Sequence, residues 1–129
     1  MDRINIVVLA EETQYKVAIK SKVENDESIS IVGYAEPNHE SLLKVKGLFP
    51  DIVVIAVDSS SMNDDLMEYI ESANFQSFGT SVIVLSNKVN MDVANMCSSV
   101  GVRQTLDSDI SAEQFCETLK TVYDKEQKL

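Results

Sequence analysis

"PDIVVIAVDSSSM", Pro50–Met62, is the stretch that decides the fold. After the proline and aspartate comes an unbroken apolar run, Ile52–Val57, dominated by valine and isoleucine. It is too short for a helix and shows no polar alternation. That combination predicts a strand buried on both faces, as in a parallel sheet covered by helices. Near the end of the run stands a small residue, Ala56, and an acid, Asp58, follows two positions later. On a continuing strand these two side chains point to the same side, about 6–7 Å apart along the chain.

Working outward, similar runs recur. "INIVVLA" (Ile4–Ala10), "SISIVGYA" (Ser28–Ala35) and "SVIVLS" (Ser81–Ser86) predict further strands, and "VRQTL" (Val102–Leu106) a weaker fifth. Helical stripes lie between them: Tyr15, Ala18, Ile19 and Val23; Leu42, Val45 and Phe49; Leu66, Ile70 and Ala73; Val93, Met96, Cys97 and Val100; Ala112, Phe115, Leu119 and Val122. Gly101 is placed to stop the fourth helix. Ser111 is placed to cap the fifth, with Gln114 at the capping-box position. Five β-α units with right-handed crossovers give an α/β fold, a five-stranded parallel sheet with helices on both faces. The 129 residues read as one domain, 1–129. The polar ending "YDKEQKL" (Tyr123–Leu129) carries no closing signal, and fits either a fraying terminus or a domain excised from a longer protein.

Composition narrows the function. Hydrophobic residues make up 44% and charged residues 25%, an ordinary globular balance. The net charge of −10 sets the chain against a phosphate backbone, so direct nucleic-acid binding is not expected. No apolar run approaches the ~18 residues of a membrane span, and "MDRINIVV" does not read as a secretory leader. Cys97 and Cys116 have no CxxC spacing and sit in apolar stripes. They are expected as buried free thiols in a reducing, cytoplasmic setting.

In open α/β sheets ligands bind beyond the carboxyl ends of the strands, which directs attention to Glu11 and Glu12, Glu36, Ala56–Asp58, Ser86–Lys88 and Asp107–Asp109. The first strand runs into "AEETQY", which is neither GxGxxG nor a phosphate-binding P-loop. His39, the single histidine, sits at a helix start and is expected at the surface. What remains is acidic. Glu11, Glu12 and Asp58 would suit a hard cation such as Mg²⁺, and the two glutamates would equally suit a helix N-terminus.

The five β-α units, the acid pair Glu11–Glu12, "PDIVVI" and the hydroxyl residue Ser86 ending strand four resemble the receiver domain of bacterial response regulators. "VGYAEPNHESLLKVKGLFPDIVVI" (Val32–Ile55) is especially similar. The resemblance covers Ile4 to about Lys125 and implies a CheY-like sheet of order 2-1-3-4-5. It also implies phosphorelay, two-component signalling in the cytoplasm, with an aspartate ending strand three accepting a phosphoryl group. Counted from Pro50–Asp51, that place holds Ala56. Thr105 stands where the family has its switch aromatic, and Ser108 where it has the lysine that pairs with the phosphoryl group. Ser86 matches the hydroxyl switch. At the metal place Glu12 replaces the favoured aspartate, so Glu11 and Glu12 are a doubtful Mg²⁺ pair.

Three functions follow. The first is a pseudo-receiver working by protein–protein interaction or dimerisation through the face of helix four, strand five and helix five, with Met91, Asp92, Asn95 and Arg103. This kind of domain is similar to the atypical N-terminal receivers of CpaE/TadZ-type pilus-assembly ATPases. The second is a receiver phosphorylated on Asp58 with Mg²⁺. The third is a small-ligand-binding flavodoxin-like domain. If the acceptor is gone, the remaining acids need a positive neighbour, and Lys88 is expected to reach Glu11 and Glu12.

Overall fold

Every residue of Ile52–Val57 is buried, and this strand, β3, lies at the centre of the sheet. The computed structural model describes residues 3–127. Among them the chain runs β1 (Ile4–Leu9), α1 (Thr13–Val23), β2 (Ile29–Ala35), α2 (Leu42–Gly47), β3, α3 (Asp64–Ala73), β4 (Ser81–Ser86), α4 (Met91–Ser99), β5 (Gln104–Asp107) and α5 (Ala112–Gln127). All pairings are parallel and the order is β2-β1-β3-β4-β5, as expected. Met1, Asp2 and the last residues of the "YDKEQKL" tail lie outside the described residues.

Alternation along the central strands divides the interior in two. Ile6, Val8, Ile52, Val54, Ala56, Ile83 and Leu85 face α1 and α5, meeting Ile19, Val23, Phe115, Leu119 and Val122. Val7, Leu9, Val53, Ile55, Val82 and Val84 face α2, α3 and α4, meeting Val45, Leu66, Ile70, Ala73 and Cys97. Cys116 belongs to the first core and Cys97 to the second, so the sheet separates two free thiols.

The "PD" dipeptide fixes where β3 begins. The Asp51 carboxylate accepts the Asn5 backbone N–H at 2.8 Å, and the Asp51 N–H donates to the Asn5 carbonyl at 2.8 Å. On the other side Thr80 Oγ1 donates to the Pro50 carbonyl at 2.8 Å, and the Ser81 N–H donates to the Asp51 carbonyl at 3.1 Å. Pro50 can stand here because its missing donor lies before the ladder starts.

Several local expectations change. β2 is an edge strand and most of it is only half-buried, so its apolar run does not mean burial on both faces. β5 starts at Gln104, two residues later than read. Ala18 is exposed, since α1 contacts the core mainly through Ile19 and Val23. Phe49 leaves the expected α2 stripe: the helix stops at Gly47, and Phe49 is 83% exposed with φ of 50°. The caps behave as read. Gly101 follows α4 at φ 91°, a region that favours glycine, and the Gln114 N–H donates to Ser111 Oγ at 3.1 Å.

α5 is tied to α1 by more than packing. Lys22 Nζ donates to the Ile110 carbonyl at 2.8 Å, and Lys120 Nζ lies 2.7 Å from Asp26 Oδ2. Lys120 and the Ser28 donors hold the Asp26 carboxyl down at about 2. A carboxylate depressed in the folded state contributes stability above its unfolded pKa of 3.8 that is lost as pH falls towards 2. Acid titration of stability should therefore lose a step between about pH 4 and pH 2 in Lys120→Met. Phe115, fully buried between β-sheet and α1, sets a larger test. Phe115→Ala should cost about 3–5 kcal/mol in urea unfolding.

Candidate functional site

The carboxyl ends of β1 and β3 open onto a cleft of about 240 Å³. Its wall is Glu11, Glu12, Tyr15, Pro37, Ala56, Val57, Asp58, Ser61, Asn63, Asp65, Leu66 and Tyr69. β1 remains buried through Ala10, whose N–H donates to the Ala35 carbonyl at 3.0 Å, and the chain then turns outward. Glu11 and Glu12 are therefore exposed at the rim. Glu12 is the extended residue before α1, and its carboxylate accepts from Gln14 Nε2 at 2.6 Å.

Ala56 is 4% exposed and forms the floor with its methyl group directed to the α1 side of the sheet. Asp58 is on the same side, as the strand alternation predicts, but it already has structural work. It precedes a 3-10 turn at Ser59–Ser61, and its Oδ1 accepts the Ser60 N–H at 2.9 Å. Its Oδ2 accepts from Asn87 Nδ2 at 3.4 Å and, at the long limit, from Tyr15 Oη at 3.5 Å. Asn87 Oδ1 in turn accepts the Ser59 N–H at 2.8 Å. One carboxylate and one amide thus clasp the loops after β3 and β4 to α1. The Ser60 N–H, the Ser60 side chain and Tyr15 hold the Asp58 carboxyl below the usual range. Burial, and then the Asp58 charge, push the Tyr15 phenol up.

The other sequence-derived residues lie elsewhere. Ser86 ends β4 beside Val57, fully buried, with its Oγ unpartnered among the described residues. Thr105 is half-buried on β5 beside the Cys97 thiol, which burial pushes up. The Ser108 N–H donates to the Ser86 carbonyl at 2.8 Å. None of these three lines the cleft. Lys88 is exposed and makes no ion pair with Glu11 or Glu12 among the described residues, so the expected neutralisation fails. The reason is positional: Asn87, one residue earlier, takes the inward place and meets Asp58. His39 is exposed, with its ring edge on Tyr69 at 5.5 Å between centroids.

A magnesium ion asks for near-octahedral oxygen donors at about 2.0–2.1 Å. Among the described residues no three His, Cys, Asp or Glu side chains converge as a metal cage. Glu12 is turned to Gln14, Asp58 is committed to the Ser60 N–H, and Ala56 supplies no oxygen.

The sequence reading missed Asn87 as a partner of Asp58, and Asp65 and Tyr69 as parts of the wall. The signal for Tyr69 was its place three residues after Leu66, on the α3 stripe facing the sheet.

No family model and no curated protein matches the sequence. Solved structures do. A response regulator from Thermotoga maritima is 18% identical with TM-score 0.79, over 96% of this chain and 99% of that one. A CheY-like receiver domain protein from Methanospirillum hungatei is 16% identical with TM-score 0.78, over 98% of both chains. The chain has the receiver fold. A structure described as pilus assembly-related, from Burkholderia pseudomallei, also matches, at 17% identity and TM-score 0.80 over 94% of this chain and 90% of that one. Within this receiver fold, the described helices include none long and apolar enough to cross a membrane.

The Asp58 charge adds to burial in raising Tyr15. Asp58→Asn should bring the Tyr15 phenol titration, followed by ring NMR signals, to lower pH. Asp58→Ala should also remove the turn cap and cost about 1 kcal/mol in urea unfolding.

Proposed function

We propose that this chain is a pseudo-receiver: a cytoplasmic interaction module that does not take up a phosphoryl group. The observation that carries this reading is Ala56, buried at the end of β3, at the place where the resemblance to response-regulator receivers puts the acceptor aspartate. Phosphoryl transfer is positioning and charge stabilisation about a nucleophile. Here the place of the nucleophile holds only the methyl group of Ala56, the lysine place holds Ser108, and the aromatic switch place holds Thr105. The clasp of Asp58, Asn87 and Ser59 supports the same reading, because it joins the β3 and β4 loops without a phosphoryl group between them.

The partner-binding face we propose is α4-β5-α5. β5 is an edge strand with exposed ends, Met91 is 77% exposed, and Asp92, Asn95 and Arg103 are exposed. A shallow cleft of about 420 Å³ between β5 and α5, including Arg103, Gln114 and Glu117, adds relief to this face. The likeness to a pilus assembly-related structure supports a setting in which such a module locates a larger machine.

Treatment with acetyl phosphate and Mg²⁺, followed by intact mass measurement, tests the reading. The expected result is no phosphoryl adduct on the wild-type chain. A stoichiometric adduct that disappears in Asp58→Ala would make the protein a working receiver with a displaced acceptor.

A further inference from the structure

Large apolar side chains gather at the end of the sheet opposite the cleft, where β3 and β4 begin. Leu43, Leu48, Phe49 and Phe78 are four of the seven large hydrophobic residues exposed among the described residues. The two segments that carry them meet there: Thr80 Oγ1, two residues after Phe78, donates to the carbonyl of Pro50, one residue after Phe49. Lys46 Nζ lies 4.2 Å from the centre of the Phe78 ring. Leu43, three residues before Lys46 on α2, is its neighbour on the helix surface. Leu48 lies against β2, where a Cβ on Gly33 would stand 2.6 Å from its Cδ1.

Phe49 is held out at a cost. Its φ of 50° is in the left-handed region, where a side chain crowds the backbone. The residue before a proline is normally extended, so the strain is compounded. Glycine or asparagine would close α2 there more cheaply. The ring is nonetheless 83% exposed, so packing within the chain does little to offset the strain.

Charge selects the partner. Residues 42–49 and 74–81 hold two lysines, Lys44 and Lys46, and no acid, in a chain with 21 acidic and 11 basic residues. Asp51, two residues beyond Phe49, spends its carboxylate on the Asn5 N–H. Exposed charges are felt over about a Debye length, ~8–10 Å, so a short acidic segment laid on this corner meets the two lysines first. An anionic lipid surface would face a whole side of a chain of net charge −10 and repel it. A second copy seated by two-fold symmetry would bring the two lysine pairs together.

We propose that the corner formed by Leu43, Lys44, Lys46, Leu48, Phe49 and Phe78 docks an acidic segment of a protein partner. Its aspartates or glutamates meet the lysines, and its aromatic or leucine side chains meet the two rings. This face is distinct from α4-β5-α5, and it does not depend on whether the chain takes up a phosphoryl group.

Selection from a random-peptide display library on the wild-type chain tests it, with the double variant Phe49→Gly and Phe78→Ser as counter-target. Enriched peptides should combine Asp or Glu with Phe, Trp or Leu. The most enriched of them, added as a synthetic peptide, should shift the amide NMR signals of Lys46, Phe49 and Phe78 and leave those of α4 and β5 in place. Lys44→Gln with Lys46→Gln should weaken its binding about threefold to tenfold, and added salt should weaken it too. Phe78→Ser should cost about fivefold or more. Phe49→Gly should also weaken binding, yet raise the urea midpoint, because glycine accepts the positive φ. That opposite movement separates a docking residue from a packing one. No enrichment over the double variant, enriched peptides without acids, or shifts confined to α4-β5-α5 would each overturn the proposal. So would flotation with phosphatidylserine vesicles, or a dimer in sedimentation, that is lost in the double variant: the first assigns the corner to a lipid surface, the second to another copy of the chain. None of these results alters the acetyl phosphate test of the pseudo-receiver reading.

Discussion

β3 has to be buried on both faces and paired on both edges, and most of the molecule follows from that constraint. Its two ladders, to β1 and β4, take up its backbone groups, and its side chains alternate between two cores. At its start, Asp51 and Pro50 use a carboxylate and two carbonyls to set the register of both neighbours. A strand held in this way delivers its last residues to a fixed point on the carboxyl edge of the sheet. Whatever residue occupies position 56 becomes the floor of the cleft. In this chain that residue has no chemistry to offer, so the functional interest moves to the walls.

The walls carry an electrostatic problem that a phosphoryl-accepting site and an interaction site would solve differently. Carboxylates brought to one cleft repel one another, less so where solvent screens them. One of them, Asp58, is relieved internally by the Ser60 N–H, Asn87 and Tyr15. The exposed Glu11 and Asp65 have only solvent and whatever enters. Asp58 thereby joins the loops that follow β3 and β4.

The strand and helix alternation was readable because period and composition are local. Ile52–Val57 and Ser81–Ser86 read as two-sided strands and are buried throughout. The same logic failed for β2, whose sequence is as apolar as that of its neighbour β1. An edge position depends on the order of crossovers and not on the strand's own residues. Phe49 failed for a related reason. Helical spacing made it a core residue, but α2 ends at Gly47 and the chain turns through a positive φ before β3. Lys88 was expected near the acids from its distance along the chain, and a one-residue difference in direction gave that place to Asn87.

The sequence by itself determined the five β-α units, the central strand with Ala56 near its end and the absence of an acid there. These rest on hydrophobic periodicity and on the identity of single residues, which neighbours along the chain specify. Only the tertiary structure decided that Asp58 caps a turn, that Ser86, Thr105 and Ser108 stay outside the cleft, and that Tyr69 joins Glu11, Glu12 and Asp65 around it. Those relations depend on how β1, β3 and α3 converge through the crossovers. A carboxylate's partner is set by the direction its side chain takes in space, and sequence separation does not encode that direction.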